Sequence, residues 1–340
     1  METKKRTAED VVKEYSTPLS IVVAGAFIAM ALQYTPAQRT QQVTTNQSTR
    51  AQLQESVLPA AGVTLPITWG DFGAKLVEVG AIDPVKLEAL YKDRGGFPAE
   101  YKKMLEKNAN EKIVITSSNS GYLLNLLWAL GLANKNPILE DKTEMMNPAY
   151  KGAGNFASTG GWTLAKGDAM SHYNMHALMS LTGTQQALVD SVSRNIFRPC
   201  CGNSTHFPDC NHGMAMLGLL ELMASQGVSE QEMYKTALAV NSYWFPETYL
   251  TIAAYMQQKG ISWKDVSPKE MLSAPYSSGQ GFARIASQVT APSSSQNGSG
   301  SGCGVGGTPA AAPRQQSGCG VDAGAPATAP APRQQSGCGI

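Results

Sequence analysis

The chain has few of the residues that most often do chemistry, six Cys and four His among 340 positions. Charged residues are only 16%, where an average globular protein has about 25%. Neither sign dominates, with 27 Lys plus Arg against 26 Asp plus Glu. That balance excludes the basic footprint of a dedicated nucleic-acid binder, so no nucleic-acid partner is expected. No aromatic follows Phe282, and a stretch without large apolar groups cannot close a core. Catalytic signatures are missing as well. There is no Walker A loop, no G-x-S-x-G and no H-E-x-x-H. There is no C-x-x-C for a redox pair or a zinc finger, and no C-x-x-C-H for haem. An enzyme is therefore the lesser expectation.

Near the N-terminus stands an uncharged apolar run, Leu19 to Tyr34, preceded by Lys4, Lys5 and Arg6. Its length suits a signal-peptide core and is just short of the roughly 20 residues of a full span. Residues 1–18 carry Glu9, Asp10 and Glu14, which favours an uncleaved anchor over a cleaved signal. Positive charge ahead of the run places 1–18 in the cytoplasm and exports the remainder of the chain. The expectation is a single-pass protein of the cytoplasmic membrane with its bulk outside, or a secreted one if Ala29-Met30-Ala31 is cleaved. Residues 35–63, rich in Gln, Thr and Ser, read as a linker.

Between 64 and 286 the pattern is mainly α, an irregular helical domain of about 220 residues, ample for a packed core. Asp83-Pro84, Ser229 with Glu232, and Ser267 with Glu270 are helix starts. Helices are expected over 98–107, 120–132, 168–181, 184–197, 211–225 and 246–258, with a short strand at 112–116. The segments 120–132 and 212–224 are apolar almost all round, so each must be buried on every side. Gly152–Gly161 is glycine-rich but follows no strand, and reads as a flexible lead rather than a phosphate loop.

Residues 287–340 are dominated by Gly, Pro, Ala, Ser and Gln, a composition that predicts a disordered tail. APRQQSGCGV at 312–321 recurs as APRQQSGCGI at 331–340, with SGSGCGV at 299–305 as a truncated copy. The tail thus offers three thiols, Cys303, Cys319 and Cys338, each between two glycines. It has a reach of roughly 35–42 Å at about 5–6 Å × √n. Those thiols are expected to exchange metal or disulfide with the core or with a partner.

All four His and the three remaining Cys fall between 172 and 212. His172 and His176, four apart on the expected helix, would share one face. Then come Cys200, Cys201, His206, Cys210 and His212 in a Gly/Pro-rich loop between helices. Thiolate and imidazole together suit a soft transition ion, copper or zinc. The expected ligands are Cys200, Cys201, Cys210 and His212, with His172, His176 and His206 approaching. Met170, Met175, Met179, Met214 and Met216 flank the window as thioethers or as core filling. Two other readings stay open: a thiol–disulfide redox protein using Cys200 or Cys201 with His206 as base, or an envelope protein with only a structural disulfide.

Arg198-Pro199-Cys200-Cys201-Gly202, with His206, Cys210, Gly227 and Ser229 downstream, resembles the exported bacterial proteins named for a P-C-Y-C-G-C motif. The resemblance covers about 198–260. This chain lacks the tyrosine between the cysteines, the third Cys after the glycine and a downstream C-x-x-C. The resemblance implies an exported protein with a cysteine site.

Overall fold

The computed structural model describes residues 49–92 and 95–289. The apolar run 19–34 and the tail thiols Cys303, Cys319 and Cys338 lie outside the described residues. Among those described, no helix is long and apolar enough to cross a membrane. Contacts divide the chain at Gln52/Leu53 into two units, and the larger one begins at Leu53.

The order of that unit is strand β1 (Val63–Gly70), helices α1 (Phe72–Glu78) and α2 (Pro84–Leu90), strand β2 (Ala109–Ile115), and helix α3 (Ser120–Ala133). After a run of short turns come α4 (Gly183–Ser193), α5 (Asn211–Ser225), α6 (Glu230–Trp244), α7 (Pro246–Gln258) and α8 (Gly279–Ala286). The fold is mainly helical, as its composition and caps imply.

Local chemistry explains the helix starts. Asp83 accepts from the Val85 N–H at 3.0 Å, with Pro84 opening α2. Thr182 and Gln185 form a reciprocal capping box on α4, Ser229 caps α6, and Pro246 opens α7.

Helices α3 and α5 form the centre. From Leu126 to Ala133 and from His212 to Ala224 every residue is buried. They cross where Gly131 meets Gly218. A Cβ on Gly218 would collide with the Leu127 carbonyl oxygen and lie 2.7 Å from the Gly131 nitrogen. Only residues without side chains permit backbones that close. Inside this centre, Glu221 is fully buried. It accepts from Asn134 Nδ2 at 3.0 Å, while Asn134 Oδ1 accepts from the Leu178 and Met179 N–H groups, each at 3.1 Å.

Several expectations are corrected. The linker read over 35–63 meets a helix at 49–57, with Val57 and Leu58 in the core, and then strand β1. That strand pairs antiparallel with β2, Val63 opposite Ile115. It buries Leu65, Ile67 and Trp69 on one face, a period of two. The helix at 98–107 is only Ala99–Lys103. The helix over 168–181 is not formed: Asp168 caps a single turn, Ala169–Ser171. Asn174 then takes a left-handed φ of 58°, and His176 pairs with Asn134 in a β-bridge. Gly152–Gly161, expected as a flexible lead, folds into two short turns, Ala153–Asn155 and Ala157–Gly160.

Candidate metal centre

The cysteine loop runs from Phe197 to Cys210 and is tied at both ends. Phe197 bridges to Ser204, and the Thr205 N–H donates to the Ile196 carbonyl at 2.8 Å. The Gly279 N–H, at the start of α8, donates to the Cys201 carbonyl at 2.8 Å. The loop ends on Cys210, which is itself the N-cap of α5: its sulfur accepts from the Gly213 N–H at 3.4 Å. Serine or aspartate is the usual residue there. A thiolate serves the same purpose and gains from the helix dipole.

These ties bring Cys200, Cys201 and Cys210 together, their sulfurs all within 4.8 Å of one another. The Cys200 and Cys210 sulfurs stand 3.5 Å apart. All three are free thiols; Cys200 is exposed and the other two half-buried. A cysteine cluster at metal-binding separation is therefore present.

Beneath it lies Arg198, which is fully buried. Its Nε donates to the Cys210 sulfur at 3.2 Å, and its Nη2 donates to the Cys201 sulfur at 3.3 Å. Nη2 also meets Asp209 Oδ1 at 2.9 Å. Gly213 leaves the room: a Cβ there would sit 2.7 Å from the guanidinium carbon. Burial works against the guanidinium charge, but Cys210, Cys201 and Asp209 outweigh it and hold Arg198 protonated. Hydrogen bonds from Cys200 and Cys201, then Arg198 and His212, pull Cys210 well below the ordinary thiol value despite its burial. Cys201 gains from its bond with Cys200, yet Cys210 and burial together push it up to about 12. Cys200 is raised by its bonds to Cys201 and Cys210. Burial, then the Cys210 charge, lifts Asp209 to about 6 against the pull of Arg198 and Asn203.

No histidine belongs to the cluster. His212, next along α5, packs its ring on Phe245 at 4.3 Å and reaches Cys210 as a hydrogen-bond partner. His206 is buried, with Nε2 facing Asp141 at 3.3 Å and Nδ1 facing Ser193 at 3.2 Å. His172 and His176 do meet, Nδ1 to Nε2 at 3.1 Å, though not through a helix. The Lys166 carbonyl accepts from His172 Nε2 at 2.9 Å. Both ring nitrogens of His172 are thus engaged with protein. Met214 and Met216 are fully buried core residues, while Met175 is 64% exposed.

The chain was compared with protein-family models, with curated proteins and with solved structures, and nothing matches. Arg198 and Asp209 contact the cysteine cluster, and sequence reasoning did not single them out as site residues. The available signal was a lone arginine two positions before Cys200 and a lone aspartate next to Cys210, two opposite charges in an otherwise neutral loop.

Proposed function

We propose that this is a metal-binding protein that holds a soft transition ion, copper or zinc, on Cys200, Cys201 and Cys210, and that it acts as a carrier in an extracytoplasmic setting. The observation that supports it is three sulfurs within 4.8 Å of one another, two of them held by one buried guanidinium. A set of thiolates needs compensating positive charge before an ion binds, and soft sulfur selects soft ions. The export part of the reading rests on the positive charges ahead of Leu19–Tyr34 and on the resemblance to the P-C-Y-C-G-C proteins.

Elemental analysis of the full chain purified without added metal tests it, with thiols counted before and after reduction. One equivalent of metal is expected in the wild type. Cys210→Ser is expected to lose it while keeping the helical content by circular dichroism. Equal metal in the mutant rules the site out. Metal uptake should also release protons, because Cys200 and Cys201 must ionise first.

A second reading has its own support: Cys200 and Cys210 stand 3.5 Å apart, close enough to oxidise to a disulfide after a small shift. Two fewer thiols before reduction than after, with no metal, would favour it.

A further inference from the structure

The three sulfurs are not equivalent. Cys201 and Cys210 are each held by an N–H of the buried Arg198, at 3.3 and 3.2 Å. Cys210 is held again by the backbone of α5 at 3.4 Å, and the Cys201 carbonyl by Gly279 at 2.8 Å. Cys200 is the exposed member. Its sulfur has the other two sulfurs as partners, Cys210 at 3.5 Å and Cys201. The cluster has three mutually close donors; the Asp209 carboxylate, 3.9 Å from the Cys201 sulfur, is taken up by Arg198 and Asn203, and His212 is a hydrogen-bond partner of Cys210. Zn(II) fills four positions in closed sites. Cu(I), a soft ion content with two or three sulfurs, needs no fourth.

The geometry points to a cuprous site that binds and releases its ion through Cys200, with Cys201 and Cys210 remaining behind as the anchored pair. This rests on the metal-binding reading above. In the step, the sulfur of an incoming thiol bonds to copper. The copper–Cys200 bond breaks, and the incoming thiol's proton passes to the Cys200 sulfur. Copper stays Cu(I) and no electrons are transferred. Arg198 keeps the remaining two sulfurs in place until a second incoming sulfur displaces them. Exposure makes Cys200 the position such an acceptor can approach, whereas the other two have the guanidinium at their backs.

The test uses the reduced full chain loaded with one equivalent of Cu(I), with bicinchoninate as competing chelator. Cys200→Ser is expected to retain the ion, weakened about 10–100-fold, and to release it at least tenfold faster than wild type. Cys210→Ser is expected to retain none. Brief iodoacetamide treatment of the loaded wild type, read by peptide mass spectrometry, should label Cys200 first with copper still bound. Equal retention and release in the two serine variants, or labelling of Cys210 before Cys200, overturns the exchange route while leaving the metal site standing. A wild type that takes no Cu(I) from bicinchoninate overturns the cuprous site itself, and zinc found by elemental analysis would then keep the broader reading alive.

Discussion

At the scale of single residues, the centre depends on a charge placed where charges are costly. Arg198 is fully buried, and such a group persists only when paired and hydrogen-bonded. Gly213 is what admits it. Gly213→Ala would set a Cβ 2.7 Å from the guanidinium carbon, and a fully enclosed side chain has no vacant place to move into. The expected cost is about 1–3 kcal/mol of overpacking, read as a lower urea midpoint, together with weaker metal retention. An unchanged midpoint and unchanged metal content would mean that Arg198 relocates freely. Glu221 offers a separate test. Burial first, against hydrogen bonds from Asn134 and Asn136, raises it from 4.5 to about 8. The folded state therefore holds a proton that the unfolded state gives up above about 4.5. This stabilisation is full below that pH, falls as pH rises and is gone above about 8. In Glu221→Gln the decline of the urea midpoint between pH 5 and pH 8.5 should flatten relative to wild type, leaving the contribution of Asp209, which is also raised, opposed by Cys210 and His176, which are lowered. An identical pH slope in the variant would remove Glu221 as its source.

Among the elements, the crossing of α3 and α5 decides the rest, because α5 begins on Cys210. Gly218→Ala would drive a Cβ into the Leu127 carbonyl oxygen and to 2.7 Å from the Gly131 nitrogen. Those neighbours are backbone and cannot rotate away. The expected loss is about 3 kcal/mol, or a melting midpoint lower by roughly 6–12 °C for a chain of this size. Gly183, at the first position of α4, has nothing within 4 Å of where a Cβ would stand, so Gly183→Ala is the control and should leave the midpoint nearly unchanged. Similar losses in both variants would show that the crossing is not specially tight. The two central helices were legible in the sequence because each is apolar all round, and a helix without a polar face has to be buried. That glycines set their distance was not legible, since Gly131 and Gly218 are far apart in the chain and neither marks the other.

For the whole molecule, the tests concern the segments outside the described residues. If Lys4-Lys5-Arg6 keep the N-terminus inside, protease added to spheroplasts should digest the 64–286 domain, and protection until lysis would refute export. A chain truncated after Gln288 should keep the core folded with its metal, yet load or release the ion more slowly if Cys303, Cys319 and Cys338 feed it. Equal rates in the truncated and full chains would leave the repeats as a tether.

Local chemistry was readable from the chain itself: Asp83-Pro84, Ser229 and Ser267 as helix starts, the helical class, and three Cys gathered in one short loop. Each depends on neighbours a few residues away, and sequence order preserves those. Tertiary packing alone decided which donors share a centre. Of the histidines in the same window, His206 is turned to Asp141 and Ser193, while His212 packs on the ring of Phe245 and meets the centre only as a hydrogen-bond partner of Cys210. Two of the three sulfurs, Cys201 and Cys210, are held by Arg198, whose place exists because Gly213 on another element has no side chain. The direction of a side chain and the burial of a charge are set by what packs against them, and those partners are scattered along the chain.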